Sequence, residues 1–405
     1  MRAIVVGGGV AGPATALALR RVGVEAVVLE ARTAEQMAAG SYLTLSPNGL
    51  HAADELGVGE RLRAEGFPTL RNELVSGTGR VLGSVTSGAP LPDGWSGLTL
   101  KRPALARLLS AAAEDAGIEV RHGARVVAVH ETGDRVEVEL ADGTRVGGDL
   151  LVAADGVRSP VRELVDAGAP AARYVGLTNF GGITRRTQLA EELPAGAWRM
   201  VFGSRAFFGA HRTPDGDVVW FANVPRPPID SDERTNTSAE QWQQWLVDLF
   251  TGDAGPAAEL VRTGELELAG DSTYDLGHVP VWHRGRLVLV GDAAHAPSPS
   301  SGQGASMALE DAVELARCLR DVQGGLGEAF AAYEGLRRDR VERIVAAGAR
   351  SSSSKVPGRV GRAFRDVMLR LVFRYVVTDR SVAWMSDHRV SLELPVAASA
   401  GGSGR

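Results

Sequence analysis

Apolar runs and glycines alternate from the start of the chain. Arg2 to Val6 is a short apolar run, Val10 to Val22 repeats apolar residues at helical spacing, and Glu25 to Leu29 is apolar again. That order predicts strand, helix, strand. Gly, Pro and Ser then punctuate alternating stretches such as Arg80 to Val85 between Arg63 and Trp95, which predicts antiparallel strands and loops. The spacing predicts a helix over 103–116 and strands over 120–130 and 135–140. The apolar run Asp149 to Ala153 leads into Ala154-Asp155-Gly156. From Ala172 to Asp275 the period is that of strands, with a hairpin turn at Thr213-Pro-Asp-Gly-Asp217 and a helix over 238–250. A last apolar run, Arg286 to Val290, ends at Gly291-Asp292, and a Pro/Gly loop delivers a helix starting near Gly302, with helical spacing through Arg350. Arginines at 362, 365, 370 and 374 recur among Phe364, Met368, Leu371 and Phe373; residues 360–377 read as a helix packed on the body, with a membrane-surface helix or a lid as alternatives. The segment 397–405 reads as a disordered tail.

These elements predict an α/β fold in which a Rossmann-like domain, residues 1–170, is interrupted by a mostly antiparallel sheet domain, 171–275, and completed by 276–350. Residues 68–100 are expected to join the inserted region, and 351–405 to form a C-terminal helical segment and tail. At 405 residues with 44 % hydrophobic content, the chain can bury two or three cores. A net charge of -5 without a basic stripe argues against nucleic-acid binding. Cys318 is the single cysteine and can close no internal disulfide. With no eighteen-residue apolar run and no basic leader, a cytoplasmic location without stable membrane insertion is expected. The eight histidines show no H-E-x-x-H spacing, so no metal site is expected.

Chemistry enters with the loop Gly7-Gly8-Gly9-Val10-Ala11-Gly12. It matches G-x-G-x-x-G after a strand and before a helix, where glycine lets the backbone approach a pyrophosphate at a helix N-terminus. Glu30, eighteen residues beyond Gly12, is placed to accept ribose hydroxyls. Ala31 and Arg32 follow it, and Val126 is assigned to the same dinucleotide site. The helix near Gly302 offers a second positive end to something negative or electron-rich.

Two further runs carry a resemblance. Asp149-Leu-Leu-Val-Ala-Ala-Asp-Gly-Val-Arg-Ser-Pro-Val-Arg162 and Gly291-Asp-Ala-Ala-His295, continued through Pro299, Gly302, Gly304 and Glu310-Asp-Ala312, resemble the Asp-Gly and Gly-Asp motifs of the group A, single-component FAD-dependent aromatic monooxygenases, which share the p-hydroxybenzoate hydroxylase fold. Gly40 to Gly49 and Asp54 to Val58 look closest to a compact subgroup containing salicylate hydroxylases, zeaxanthin-epoxidase-like and tetracycline-inactivating monooxygenases. The resemblance implies a Rossmann-like FAD-binding domain with an inserted mostly antiparallel substrate sheet and C-terminal helices. It implies that Asp292 contacts the ribityl chain and that Pro299, Gly302, Gln303, Gly304 and Ala305 border the isoalloxazine. Asp155, Gly156 and Arg158 would serve the pyrophosphate and nicotinamide cofactor, with Arg162 a neighbouring cation, and Arg102 would reach the FAD phosphates or ribose. Ser306 departs from the family, which often has Asn there.

The implied activity uses FAD, NADPH or NADH, and O2 to hydroxylate or epoxidise an aromatic or polycyclic small molecule through a C4a-hydroperoxyflavin, in natural-product biosynthesis. Antibiotic inactivation by the same chemistry and a non-catalytic binding protein on the same fold are the alternatives, and the chain is expected to be a monomer or homodimer. His295 reads as a structural loop histidine. Across the Pro214-Asp-Gly216 turn the expected register puts Phe207, Gly209, His211, Phe221 and Asn223 on one face and Phe208, Arg212 and Trp220 on the other. The first group would wall the substrate pocket, with His211 the titratable group able to deprotonate a phenol or indole. Tyr42, Thr44 and Arg185 are further pocket candidates.

Overall fold

The structure, a computed structural model, describes residues 1–38, 40–353 and 379–396; the amphipathic stretch 360–377 and the tail 397–405 lie outside them. Six strands form the first sheet, in the order His283–Arg284, Leu287–Leu289, Leu150–Ala153, Arg2–Val6, Glu25–Leu29, Glu119–Arg121. The central strands are parallel, and Leu150–Ala153 is buried at all four positions, as expected of strands covered on both faces. The chain leaves Arg2–Val6 for Glu25–Leu29 on one side and returns as Leu150–Ala153 on the other. The strand order therefore reverses at Arg2–Val6, which opens a crevice at the carboxyl ends of these strands.

The second sheet has seven strands, in the order Glu265–Asp275, Arg173–Thr184, Val218–Pro225, Phe207–Arg212, Ala197–Phe202, Arg71–Ser76, Val81–Thr86. All its pairings are antiparallel except Ala197–Phe202 with Arg71–Ser76, so the early hairpin at 71–86 completes a sheet built mainly from residues more than a hundred positions later. One face buries Phe180, Phe208, Trp220 and Ala222 against the Ala239–Phe250 helix, whose start is fixed by a capping box between Ser238 and Gln241. The other face carries Trp198, Val219 and Phe221, packs against Phe67 of a small three-stranded sheet, and turns toward the strand Tyr42–Leu45.

Several boundaries differ from the sequence reading. The stretch 120–130 divides into Glu119–Arg121, which joins the parallel sheet, and Val126–Thr132, which pairs with Arg135–Leu140 in a separate three-stranded sheet. The helix expected near Gly302 begins at Gly304, because Gly302 is left-handed at φ 63° and closes a short 3-10 turn, Pro299–Ser301. The helical region beyond it breaks into Gly304–Asp321 and Leu326–Ser353. A short helix, Asp379–Ser386, returns to the body, where Thr86 donates to Asp379 at 3.0 Å and the Leu392 N–H to Glu55 at 2.8 Å. Among the described residues no helix is long and apolar enough to cross a membrane.

Gly182 lies where Trp220 crosses its strand, and a Cβ there would run into the Trp220 ring and the Glu265 carbonyl oxygen. Gly182→Ala is expected to cost about 1–3 kcal/mol by overpacking. Urea denaturation should report a lower midpoint with unchanged slope. Gly147→Ala meets no atom closer than 3.7 Å and should leave the midpoint nearly in place.

Candidate functional site

Three loops leave the carboxyl ends of three neighbouring parallel strands. Gly7 follows Arg2–Val6, Asp155 follows Leu150–Ala153, and Gly291-Asp292 follows Leu287–Leu289. The outermost two are nearly three hundred residues apart in the chain, and all three are adjacent in the sheet. Contact between them leaves no room for side chains: a Cβ at Gly12 would strike the Gly7 carbonyl oxygen, and one at Gly7, whose φ is 112°, would strike the Ala154 carbonyl. Gly9 and Gly156 have nothing within 4 Å of a Cβ position, so the same loops are tight against the protein and open toward the crevice. The helices starting at Ala11 and Gly304 both lack a side-chain cap and carry no acidic residue in the first turn. Their first N–H groups remain available to a bound group.

Glu30 directly follows the Glu25–Leu29 strand and is 5 % exposed. Its Oε2 accepts the Gly8 N–H at 2.7 Å, and its Oε1 accepts the Arg32 N–H at 2.9 Å and Nε–H at 3.0 Å. Burial pushes the carboxyl up, but the Arg32 and Gly8 donors outweigh it and hold the group below its ordinary value. With Oε1 engaged twice by Arg32, Oε2 is the oxygen with capacity for a further donor. Arg32 is half-exposed and tethered to Glu30 rather than projecting freely.

The Gly-Asp loop is organised from beneath. Asp311, fully buried, accepts the Gly291 N–H at 2.9 Å and His295 Nε2–H at 2.6 Å on one oxygen, and Arg337 Nε–H at 2.7 Å on the other. Arg337 also lies 2.6 Å from Glu310, which is paired with Arg340 at 2.8 Å and accepts from Asn48 Nδ2 at 2.7 Å. Asn48 donates in turn to Gln303, whose Nε2 reaches Ser46 Oγ at 2.9 Å. One connected polar network therefore fixes the Gly291 turn, the Gly304 helix and the Ser46–Asn48 segment together. His295 is the structural loop histidine the sequence suggested, held by Asp311. Arg337 and Arg340 were missed because their partners lie 26 and 30 residues away on another helix; a clue was the pairing of two acids, Glu310-Asp311, inside an apolar helix.

Asp292 stands over this base, and among the described residues its carboxylate takes part in no hydrogen bond. Burial pushes it up, with Arg102 and His295 pulling it back and Asp311 adding to the rise. Asp155 is similar: burial raises it against a bond from Ser159, and its Oδ1 is buried without a partner. Arg162, 4 % exposed, donates to the carbonyls of Ala293 at 3.1 Å and Val157 at 2.8 Å, tying the Asp-Gly loop to the Gly-Asp loop. Arg158 sits 4.8 Å over the Tyr274 ring, and Arg102 begins its helix with an exposed side chain.

On the large sheet Phe207 faces Asn223, Gly209 faces Phe221, and His211 faces Val219, so all six share one side. The space above Gly209 is taken by the Phe221 ring and is not open to a bound ring. Arg185 lies at the exposed strand end, paired with Glu265 at 3.0 Å. His211 is buried between Phe67 and Trp198, donates from Nδ1 to the Arg212 carbonyl at 2.7 Å, and is pushed by burial down to about 4. Tyr42 and Thr44 line the adjacent strand, and burial raises the Tyr42 hydroxyl.

The chain resembles known proteins over most of its length. A family model described as FAD binding domain matches residues 1–348. The chain is 31 % identical over 386 residues to an aurachin C monooxygenase/isomerase of Stigmatella aurantiaca, covering 93 % of this chain and 94 % of that protein. It is 31 % identical over 363 residues to an FAD-dependent urate hydroxylase of Klebsiella oxytoca, covering 85 % and 88 %. A Klebsiella pneumoniae protein crystallised with FAD and uric acid superposes with a TM-score of 0.81 at 26 % identity over 96 % of each chain.

Arg337→Met would strand Glu310 and Asp311 without their shared cation. A loss of about 3–5 kcal/mol in urea unfolding is expected at neutral pH. The Arg337 and Arg340 guanidiniums hold Glu310, against its burial, down to about 2, so its contribution is complete above the ordinary carboxylate range and is lost as pH falls through about 2. Wild-type stability should therefore fall steeply on acidification, and the variant's curve should be flatter.

Proposed function

This chain belongs to the FAD binding domain family, and from that premise we propose an FAD-dependent monooxygenase that uses NAD(P)H and O2 to put one oxygen atom on an aromatic or polycyclic small molecule. The observation that carries the reading is the meeting of Gly7, Asp155 and Asp292 at one crevice, with an orphaned buried carboxyl oxygen on Asp155 and, among the described residues, no hydrogen bond to the Asp292 carboxylate. Such groups call for a ligand with donors of its own, and a flavin dinucleotide brings ribose and ribityl hydroxyls. FAD, when bound, supplies electron transfer from NAD(P)H and the activation of O2.

The residues of this chain hold, orient and shield. The open side of Gly9 and the uncapped helix start at Ala11 suit a pyrophosphate. Glu30 Oε2 has one lone pair left for a ribose hydroxyl. Asp292 would accept from the ribityl hydroxyls, and the uncapped start of the Gly304 helix would offer its positive end to the negative charge of a reduced ring. The aromatic face of the large sheet, with Phe221 and Trp198 packed against Phe67, would exclude water and offer apolar surface to a ring substrate. Aurachin and urate, the compounds in the relatives' names, are both ring systems, which supports a heteroaromatic or polycyclic substrate here. A place in natural-product metabolism accords with the first of them.

Asp292→Ala is expected to weaken FAD retention at least about tenfold, the equivalent of one charge-assisted hydrogen bond. The ratio of flavin to protein absorbance after gel filtration measures it. Retention of full flavin content together with full NADPH oxidation would overturn the assignment. In the wild type, stopped-flow flavin reduction by NADPH should accelerate with at least one member of a panel of aromatic hydroxy acids, purines and quinolones.

A further inference from the structure

A chain of hydrogen bonds runs from the interior of the large sheet to the side of the Tyr42–Leu45 strand. His211, 1 % exposed, contacts the Arg212 carbonyl through Nδ1 at 2.7 Å and the Thr69 hydroxyl through Nε2 at 3.1 Å. Thr69 Oγ1 lies 2.7 Å from Thr99 Oγ1, and Thr99 Oγ1 lies 2.7 Å from Thr44 Oγ1. Trp198 Nε1–H donates to Thr44 Oγ1 at 3.0 Å and is shared with Thr99 Oγ1 at 3.3 Å. Thr69 and Thr99 are fully buried, and Thr44 alone is half-buried.

Counting hydrogens orients this chain. A carbonyl cannot donate, so Nδ1 of His211 holds a proton. Burial keeps the ring neutral at physiological pH; the groups packed on it, Phe67, Trp198 and Thr69, are uncharged, and the one cation beside it, Arg212, further disfavours imidazolium. Nε2 is therefore a lone pair, and Thr69 spends its only hydroxyl proton on it. Thr99 must then donate to Thr69, and Thr44 to Thr99. Trp198 is a donor only and takes one lone pair of Thr44. Thr44 is left with one lone pair and no proton.

Thr44 lies near the start of the Gly304 helix: Ser46, which directly follows the Tyr42–Leu45 strand, accepts from Gln303 there, and Thr44 is two residues, about 7 Å of extended backbone, before Ser46. We propose that Thr44 is locked as a hydrogen-bond acceptor and selects ring substrates presenting an O–H or N–H at that point: phenols, indoles and N–H heterocycles in preference to their O- or N-alkylated counterparts. The proposal rests on the reading of a ring substrate between the loop and the sheet. An alkylated ring would leave the acceptor facing a group that cannot pair with it and is larger than a hydrogen. Thr69, Thr99 and His211 act through Thr44 and are positioning residues.

The test uses holoenzyme and two matched probe pairs, phenol with anisole and indole with 1-methylindole, their dissociation constants read from the perturbed flavin absorbance. The donor member should bind about tenfold more tightly than its capped partner, as one neutral hydrogen bond allows. In Thr69→Val the Thr99 proton is released to Thr44, which can then turn its own proton outward, and the ratio should fall toward one; Thr69→Ser should restore it. A purely structural role for buried Thr69 would weaken both members of a pair alike and leave the ratio. Long-range 1H–15N spectra, with His211 assigned by His211→Phe, should show the Nδ1-protonated tautomer. Equal affinity of the two members in the wild type, an unchanged ratio in Thr69→Val, or an Nε2-protonated His211 would each overturn the lock. Flavin content and NADPH oxidation, measured on the same samples, report separately on the monooxygenase reading: a protein that holds no flavin sinks that reading, while the His211 tautomer still reports on the chain.

Discussion

A carboxylate at zero exposure has to be fed donors from every side, and Asp311 meets that requirement in a way that orders everything around it. It takes one backbone N–H from the Gly291 turn, one imidazole N–H from His295 and one guanidinium N–H from Arg337. Each of those donors belongs to a different segment, so the single charge locks the last parallel strand, the loop beyond it and two long helices into one geometry. Glu310 extends the arrangement to Asn48 and, through Arg340, to the carbonyls of Trp384 and Met385 at the end of the returning C-terminal helix. The network stands under the proposed isoalloxazine floor and takes no part in the chemistry proposed above it. Its function is rigidity, which keeps Asp292 and the Gly304 helix start aimed at fixed points.

The second organising constraint is backbone approach. The reversal of strand order at Arg2–Val6 gathers the glycine loop, the Asp-Gly loop and the Gly-Asp loop at one edge of the sheet, and the packing of Gly7 on Ala154 and of Gly12 on Gly7 lets them touch. Arg162 then ties two of the loops through the Ala293 and Val157 carbonyls. The result is a crevice closed toward the core by backbone and open toward the ligand, which is the arrangement an extended dinucleotide requires.

The large sheet separates two tasks between its faces. Its outer face is an apolar core sealed by the Ala239–Phe250 helix, and it supplies stability. Its inner face pairs aromatic surface with a short polar chain, His211 to Thr44, anchored at the Arg212 backbone carbonyl. In such an arrangement specificity can reside in residues that never touch the substrate, because one tautomer sets the polarity of the only partly exposed member.

The chain by itself determined the parts whose physics is local. Glycine at Gly7, Gly9 and Gly12, the carboxylate of Glu30 and the acid of Gly291-Asp292 follow from what a turn and a helix start need within a few residues, and the alternation across the Thr213–Asp217 turn carried the face assignment of Phe207, His211 and Phe221. Short-range periodicity could not see where the helix after Gly302 begins, since one left-handed residue moved it, nor that Val126–Thr132 leaves the parallel sheet. Tertiary structure alone decided the rest. It filled the space above Gly209 with Phe221, drew Arg185 to an exposed ion pair, engaged one oxygen of Glu30 with Arg32, and brought Arg337 to Asp311 and Thr69 to His211. Buried charges and hydroxyls are satisfied by whatever the fold places beside them, and that neighbour is commonly dozens of residues away, where no spacing along the chain records it.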